Sequence, residues 1–104
     1  MNSCKYPDLF SPITIKNKTF KNRILVSPMG LGERGERGVM SQEGIDFYDT
    51  IAAGGCARVC TGENDVVFGS AVFGKYDFFV DKPSENFKNS IKRYVEVCHK
   101  HGAL

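Results

Sequence analysis

Apolar positions along the chain alternate between short runs that suit β-strands and longer stretches with a helical repeat. Ile13-Thr14-Ile15 and Lys18-Thr19-Phe20 flank Lys16-Asn17, and Asn tolerates positive φ, so residues 13–20 predict a tight β-hairpin. Its apolar positions, Ile13, Ile15 and Phe20, need something to cover. Residues 23–27 form the next run, in which Ile24-Leu25-Val26 does not alternate. That is the pattern of a parallel strand buried on both faces. Pro28 ends the run because it has no N–H to give a ladder.

A helix is predicted over residues 42–53. Ser41 stands at its cap, Glu43 favours the positive end of the helix dipole, and Gly54-Gly55 stop it. Ile45, Tyr48 and Ala52, flanked by Phe47 and Ile51, give it a broad apolar face. A second strand follows through residues 56–62, CARVCTG, in which Arg58 either points to an edge or pairs with an acid. The clearest helix follows Ser84. Phe87, Ile91, Tyr94, Val95 and Cys98 recur at helical spacing, while Lys88, Lys92, Arg93, Glu96 and Lys100 take the solvent side and Gly102 stops the run. Ala103-Leu104 reads as the first step of a third strand. The long connection 63–83 is Phe-rich, with a hairpin turning at Gly74-Lys75 as one reading. Its aromatic residues Phe68, Phe73, Tyr76, Phe78 and Phe79 either line a ligand mouth or pack against parts beyond this chain.

Strand, helix, strand, helix and the start of a strand define an α/β fold with parallel strands. Two such strands and two helices leave sheet edges open and cannot cover both faces. The 104 residues are therefore expected to be a portion of a larger fold.

Composition changes this picture little. Twelve acids against 14 bases, a net charge of +2, make no broad field for nucleic acid or an anionic membrane. No run approaches a membrane span, and the N-terminus lacks the apolar core of a signal peptide, so a cytoplasmic protein is expected. Cys4, Cys56, Cys60 and Cys98 show neither a CxxC pair nor metal-ligand spacing. They are expected to be reduced thiols, with Cys56 and Cys60 on one face of their strand.

Candidate chemistry is sparse. Residues 30–35, GLGERG, match GxGxxG after a strand, and Glu63 stands where a ribose-binding acid would in a Rossmann unit. The pyrophosphate needs a helix that opens within such a motif, whereas here the helix starts only after Ser41. A surface loop is the better reading of residues 30–40. His99 and His101 are two apart on a helix, face different directions and cannot chelate one metal; solvated helix-end residues are expected. Asp77 and Asp81 have no base beside them in the pattern. No catalytic residue and no metal ligand is assigned within the chain.

Longer segments carry more information than any single motif. YPDLFSPITIKNKTFKNRILVSPMG, then SQEGIDFYDTIAAGG, ARVCTGE and CHKHGA resemble the N-terminal quarter of the Old Yellow Enzyme family, the NADH:flavin oxidoreductases. The nearest resemblance is to the clostridial type related to 2,4-dienoyl-CoA reductase. It implies one incomplete FMN-binding domain over residues 1–104, the N-terminal portion of a TIM (β/α)8 barrel. That portion would hold the leading hairpin, about 13–20, and the first two βα units only, about 23–54 and 56–101. Active sites of such barrels lie at the C-terminal ends of the strands.

By resemblance, Ser27, Pro28 and Met29 would contact the flavin through backbone and packing, and Gly30 would face its reactive N5 edge. Relatives often carry Thr or Cys at the Gly30 position, so glycine here removes a side-chain contact that tunes the flavin. Gly62 and Glu63 would meet the cofactor at the second strand, Glu63 through its backbone. The implied chemistry is reduction of FMN by NADH or NADPH, followed by hydride transfer to an activated C=C beside a carbonyl. Carbonyl-binding residues, the proton donor, the phosphate site and any iron–sulfur cluster belong to downstream sequence in that family. The chain alone is thus expected to be inactive. The alternative is a truncated, non-catalytic polypeptide or assembly module, and the third reading is a Rossmann-type nicotinamide-binding protein.

Overall fold

The computed structural model describes residues 4–29, 39–62, 64–65, 78–79 and 83–104. A single helical turn, α1 (Pro7–Phe10), opens it with Pro7 in its first turn. The apolar pattern does not foretell it. The hairpin follows, β1 (Ile13–Ile15) pairing antiparallel with β2 (Lys18–Phe20) in the register Ile13↔Phe20 and Ile15↔Lys18. Lys16, at φ 54°, takes the left-handed position of the two-residue turn that Asn17 was expected to fill.

The central strand β3 (Leu25–Val26) pairs in parallel with β4 (Arg58–Val59), Leu25 opposite Arg58 and Val26 opposite Val59. Between them runs α2 (Gln42–Ala53), whose bounds are those predicted. Ser41 Oγ accepts from Gly44 N at 3.1 Å and fills a donor that the first turn leaves open, while Gly55 leaves the helix at φ 100°. A second parallel pairing joins β5 (Asn64–Asp65) to β6 (Phe78–Phe79). The last element is α3 (Glu85–Lys100), with Ser84 Oγ accepting from Phe87 N at 3.1 Å and Gly102 at φ 75° beyond its end.

Leu104, where the sequence predicts the first step of a third strand, carries no strand but pairs with β4 through its backbone. Its N donates to Ala57 O at 2.9 Å and its O accepts from Val59 N at 3.0 Å, which sets it beside Arg58 in a parallel bridge. Strand order in space thus follows order in the chain.

Both helices cover the same side of this sheet. Ile45, Tyr48 and Ala52 of α2 pack with Phe87 and Cys98 of α3 over Val59 and Ala103. The Tyr48 and Tyr94 rings meet edge to face with centroids 4.8 Å apart. Burying one side chain such as Ile45 contributes about 1.5–3 kcal/mol, so these few contacts carry much of the fold. Val97, rather than Val95, packs against this core. The buried stripe runs through Phe87, Ser90, Tyr94 and Cys98, and Val95 sits at its margin.

The opposite face of the sheet is open. Ile24 and Val26 pack against the core, but Leu25 between them is 53% exposed, so the apolar run is covered on one face here. Both long helices lie on a single side of the sheet. Arg58 is exposed on the open face with no acidic partner among the described residues, and β4 has β3 on one side and Leu104 on the other, so the structure shows neither the sheet edge nor the acid pair that the sequence offered for it. His101 departs from the solvated residue expected. Its Nε2 sits 2.6 Å from Asp49 Oδ1, and Lys100 Nζ reaches Asp49 Oδ2 at 3.0 Å, while His99 is exposed. The glycine-rich stretch 30–35, the turn proposed at Gly74-Lys75, Asp77, Asp81, Phe68, Phe73 and Tyr76 lie outside the described residues. Among the described residues no helix is long and apolar enough to cross a membrane.

Candidate functional site at the strand ends

The two central strands finish side by side. Their last rung among the described residues is Cys60 N donating to Val26 O at 3.2 Å. Ile24 and Val26 turn their carbonyls toward β4, and Pro28, next in that alternation, has no N–H to continue the ladder. The chain is thereby released at the C-terminal end of β3, and Ser27, Pro28 and Met29 are all exposed there. Met29 leaves about half of a large apolar side chain uncovered. Gly62 follows β4 by three residues and is buried. Gly30 and Glu63, the remaining two residues of the predicted site, lie outside the described residues. The structure thus brings Ser27, Pro28 and Met29 to the same end of the sheet as Gly62.

Polar contacts fix where the strands begin and brace β4 from the helix layer. Asn22, buried directly before the apolar run, accepts from Ile24 N through Oδ1 at 3.0 Å and donates through Nδ2 to Gly55 O at 2.7 Å. It ties the start of β3 to the turn that delivers β4. Arg23 N donates to Leu9 O at 2.9 Å and fixes the other edge. Tyr94 Oη donates to Val59 O at 3.2 Å, bracing β4 from α3. Sequence reading missed Asn22 and Tyr94 as positioning groups. The one signal for Asn22 is a short amide side chain placed directly before a buried strand.

The strip offers packing surface and backbone, and no perturbed acid or base. The groups with shifted titration belong to the helix layer. Burial first, and then the neighbouring Cys98 and Tyr48, push the Tyr94 phenol well above its usual range. Burial raises the Cys98 thiol, and hydrogen bonds from Lys100 and His101 lower the Asp49 carboxyl. No group of three His, Cys, Asp or Glu side chains among the described residues is placed to hold a metal ion.

Parallel strands in chain order, each followed by a helix on one side, with the open strip at their C-terminal ends, define a segment of a β/α barrel. Comparison with known proteins says which one. The profile of the NADH:flavin oxidoreductase / NADH oxidase family matches residues 8–102, and the chain belongs to that family. It is 28% identical over 97 residues to N,N-dimethylglycine/sarcosine dehydrogenase of Chromohalobacter salexigens, covering 90% of this chain and 13% of that protein. NADH oxidase of Thermoanaerobacter brockii is 42% identical over 54 residues, covering 52% of this chain and 8% of that protein.

Solved structures agree on the fold. The old yellow enzyme of Trypanosoma cruzi superposes with a TM-score of 0.79 at 19% identity, covering 97% of this chain and 26% of that one. Morphinone reductase in complex with tetrahydroNAD gives a TM-score of 0.75 at 15% identity, covering 93% of this chain and 25% of that one. The chain spans about an eighth or less of the curated relatives it matches and about a quarter of these two structures. The fold is that of part of a TIM barrel of the Old Yellow Enzyme type.

Proposed function

We propose that residues 1–104 form part of the FMN-binding domain of an NAD(P)H oxidoreductase of ene-reductase type, with two βα units over about 23–54 and 56–101. Ser27, Pro28, Met29 and Gly30 from the first unit and Gly62 and Glu63 from the second would form one wall of the flavin site. The observation that carries this reading is the exposed strip of residues 27–29 at the shared C-terminal end of β3 and β4, in a chain of the NADH:flavin oxidoreductase family. A flat isoalloxazine, apolar along one rim and hydrogen-bonding along the other, suits a strip that presents a half-exposed Met29, the rigid Pro28 and free backbone groups. When bound, FMN supplies hydride transfer from NADH or NADPH to an activated C=C beside a carbonyl.

This chain's own residues would bind and orient. Met29 shields one side of the ring from water, and Pro28 fixes the backbone that carries it. Asn22 fixes where the two strands begin, and Tyr94 braces β4 from α3. In this reading the proton donor and the phosphate site lie in other parts of the barrel, and the chain by itself should not turn over. Any iron–sulfur cluster would belong to other sequence, and the four free thiols suit a reducing cytoplasm.

Purified chain mixed with FMN and passed through a desalting column should retain flavin absorbance, and Met29→Asp should lose it. Absence of retained flavin in the wild-type chain would refute the wall assignment. Turnover of NADH with an enone by the chain alone would refute the inactivity. A second reading, dehydrogenation of a methylated amine, is favoured by the relative that covers most of the chain. Reduction of the bound flavin by dimethylglycine, without NADH, in a protein carrying this segment in a complete barrel would select it.

A further inference from the structure

We draw no further inference here: the strongest candidate, the side-chain cluster of Lys21, Asp49, Lys100 and His101 where α3 ends against α2, spends its charges on contacts within the fold and rests on the lowered Asp49 titration alone.

Discussion

His101 Nε2 lies 2.6 Å from Asp49 Oδ1, joining the residue that ends α3 to the middle of α2. Lys100 shares the same carboxylate, and Lys21 Nζ donates to the His101 carbonyl at 2.6 Å, so Lys21, Lys100 and His101 converge where α3 ends. Hydrogen bonds from Lys100 first, then from His101, hold the Asp49 carboxyl below the ordinary aspartate value. An acid whose folded value is depressed adds stability above its unfolded value, about 3.9, and loses it as pH falls through the lower folded value. Asp49→Asn should therefore flatten the acid limb of unfolding midpoint against pH below about pH 4. An unchanged acid limb in urea titrations of the two proteins would show that the cluster adds nothing.

Ser90 is buried, accepts from Met40 N at 3.1 Å and donates to Phe87 O at 2.8 Å. Ser90→Ala strands the Met40 N–H inside the core, and an unsatisfied buried donor costs about 1–3 kcal/mol. Equilibrium urea unfolding should register that loss, with little change in helical circular dichroism of the native state. Ser84→Ala, which removes a cap at the surface, should cost about 1 kcal/mol.

Gly102 leaves α3 at φ 75°, and a Cβ built there would meet only the Lys21 side chain, at 3.7 Å. Space is therefore adequate and the backbone angle is the obstacle. Gly102→Ala should destabilise by about 1–2 kcal/mol, the cost of a left-handed non-glycine residue. Gly102→Asn should cost less, and a thermal melt of the two variants separates conformational cost from crowding.

Tyr94 reaches from α3 to the Val59 carbonyl at 3.2 Å, and burial raises its phenol well above the usual 10. Above about pH 10 the unfolded state releases a proton that the folded state keeps, so stability should fall as pH rises past that value. Tyr94→Phe should remove this alkaline loss while costing about 1 kcal/mol at neutral pH from the broken hydrogen bond. Ultraviolet titration should show the Tyr94 phenol ionising well above the usual tyrosine range.

The four free cysteines should separate by reactivity. Cys4 is exposed, Cys60 intermediate, and Cys56 and Cys98 buried, with the Cys98 thiol pushed up by burial. A maleimide should modify Cys4 first, and Cys56 and Cys98 at least about tenfold more slowly than Cys4. Equal rates would mean that the helix layer opens readily.

Both long helices, their serine caps and their glycine stops were legible in the residue pattern, as were the hairpin and the parallel order of strands. These features depend on local chemistry: a hydroxyl that reaches an open N–H, a glycine that accepts positive φ, and apolar spacing that matches a helical turn. Family membership was legible for a related reason, since the quoted segments carry their order and spacing in the sequence itself.

Tertiary structure decided what depends on which surfaces meet. Ile24-Leu25-Val26 is uniformly apolar, so no pattern within it could tell that Leu25 would stay open while its neighbours packed; both helices had to fall on one side. His101 looked like a solvated end residue until α2 brought Asp49 to it from 52 positions away. Asn22 became a clamp only because the turn after α2 presents the Gly55 carbonyl. Local preference acts over a few residues and is written in order along the chain. Long-range pairing is set by packing, and only the folded chain reveals it.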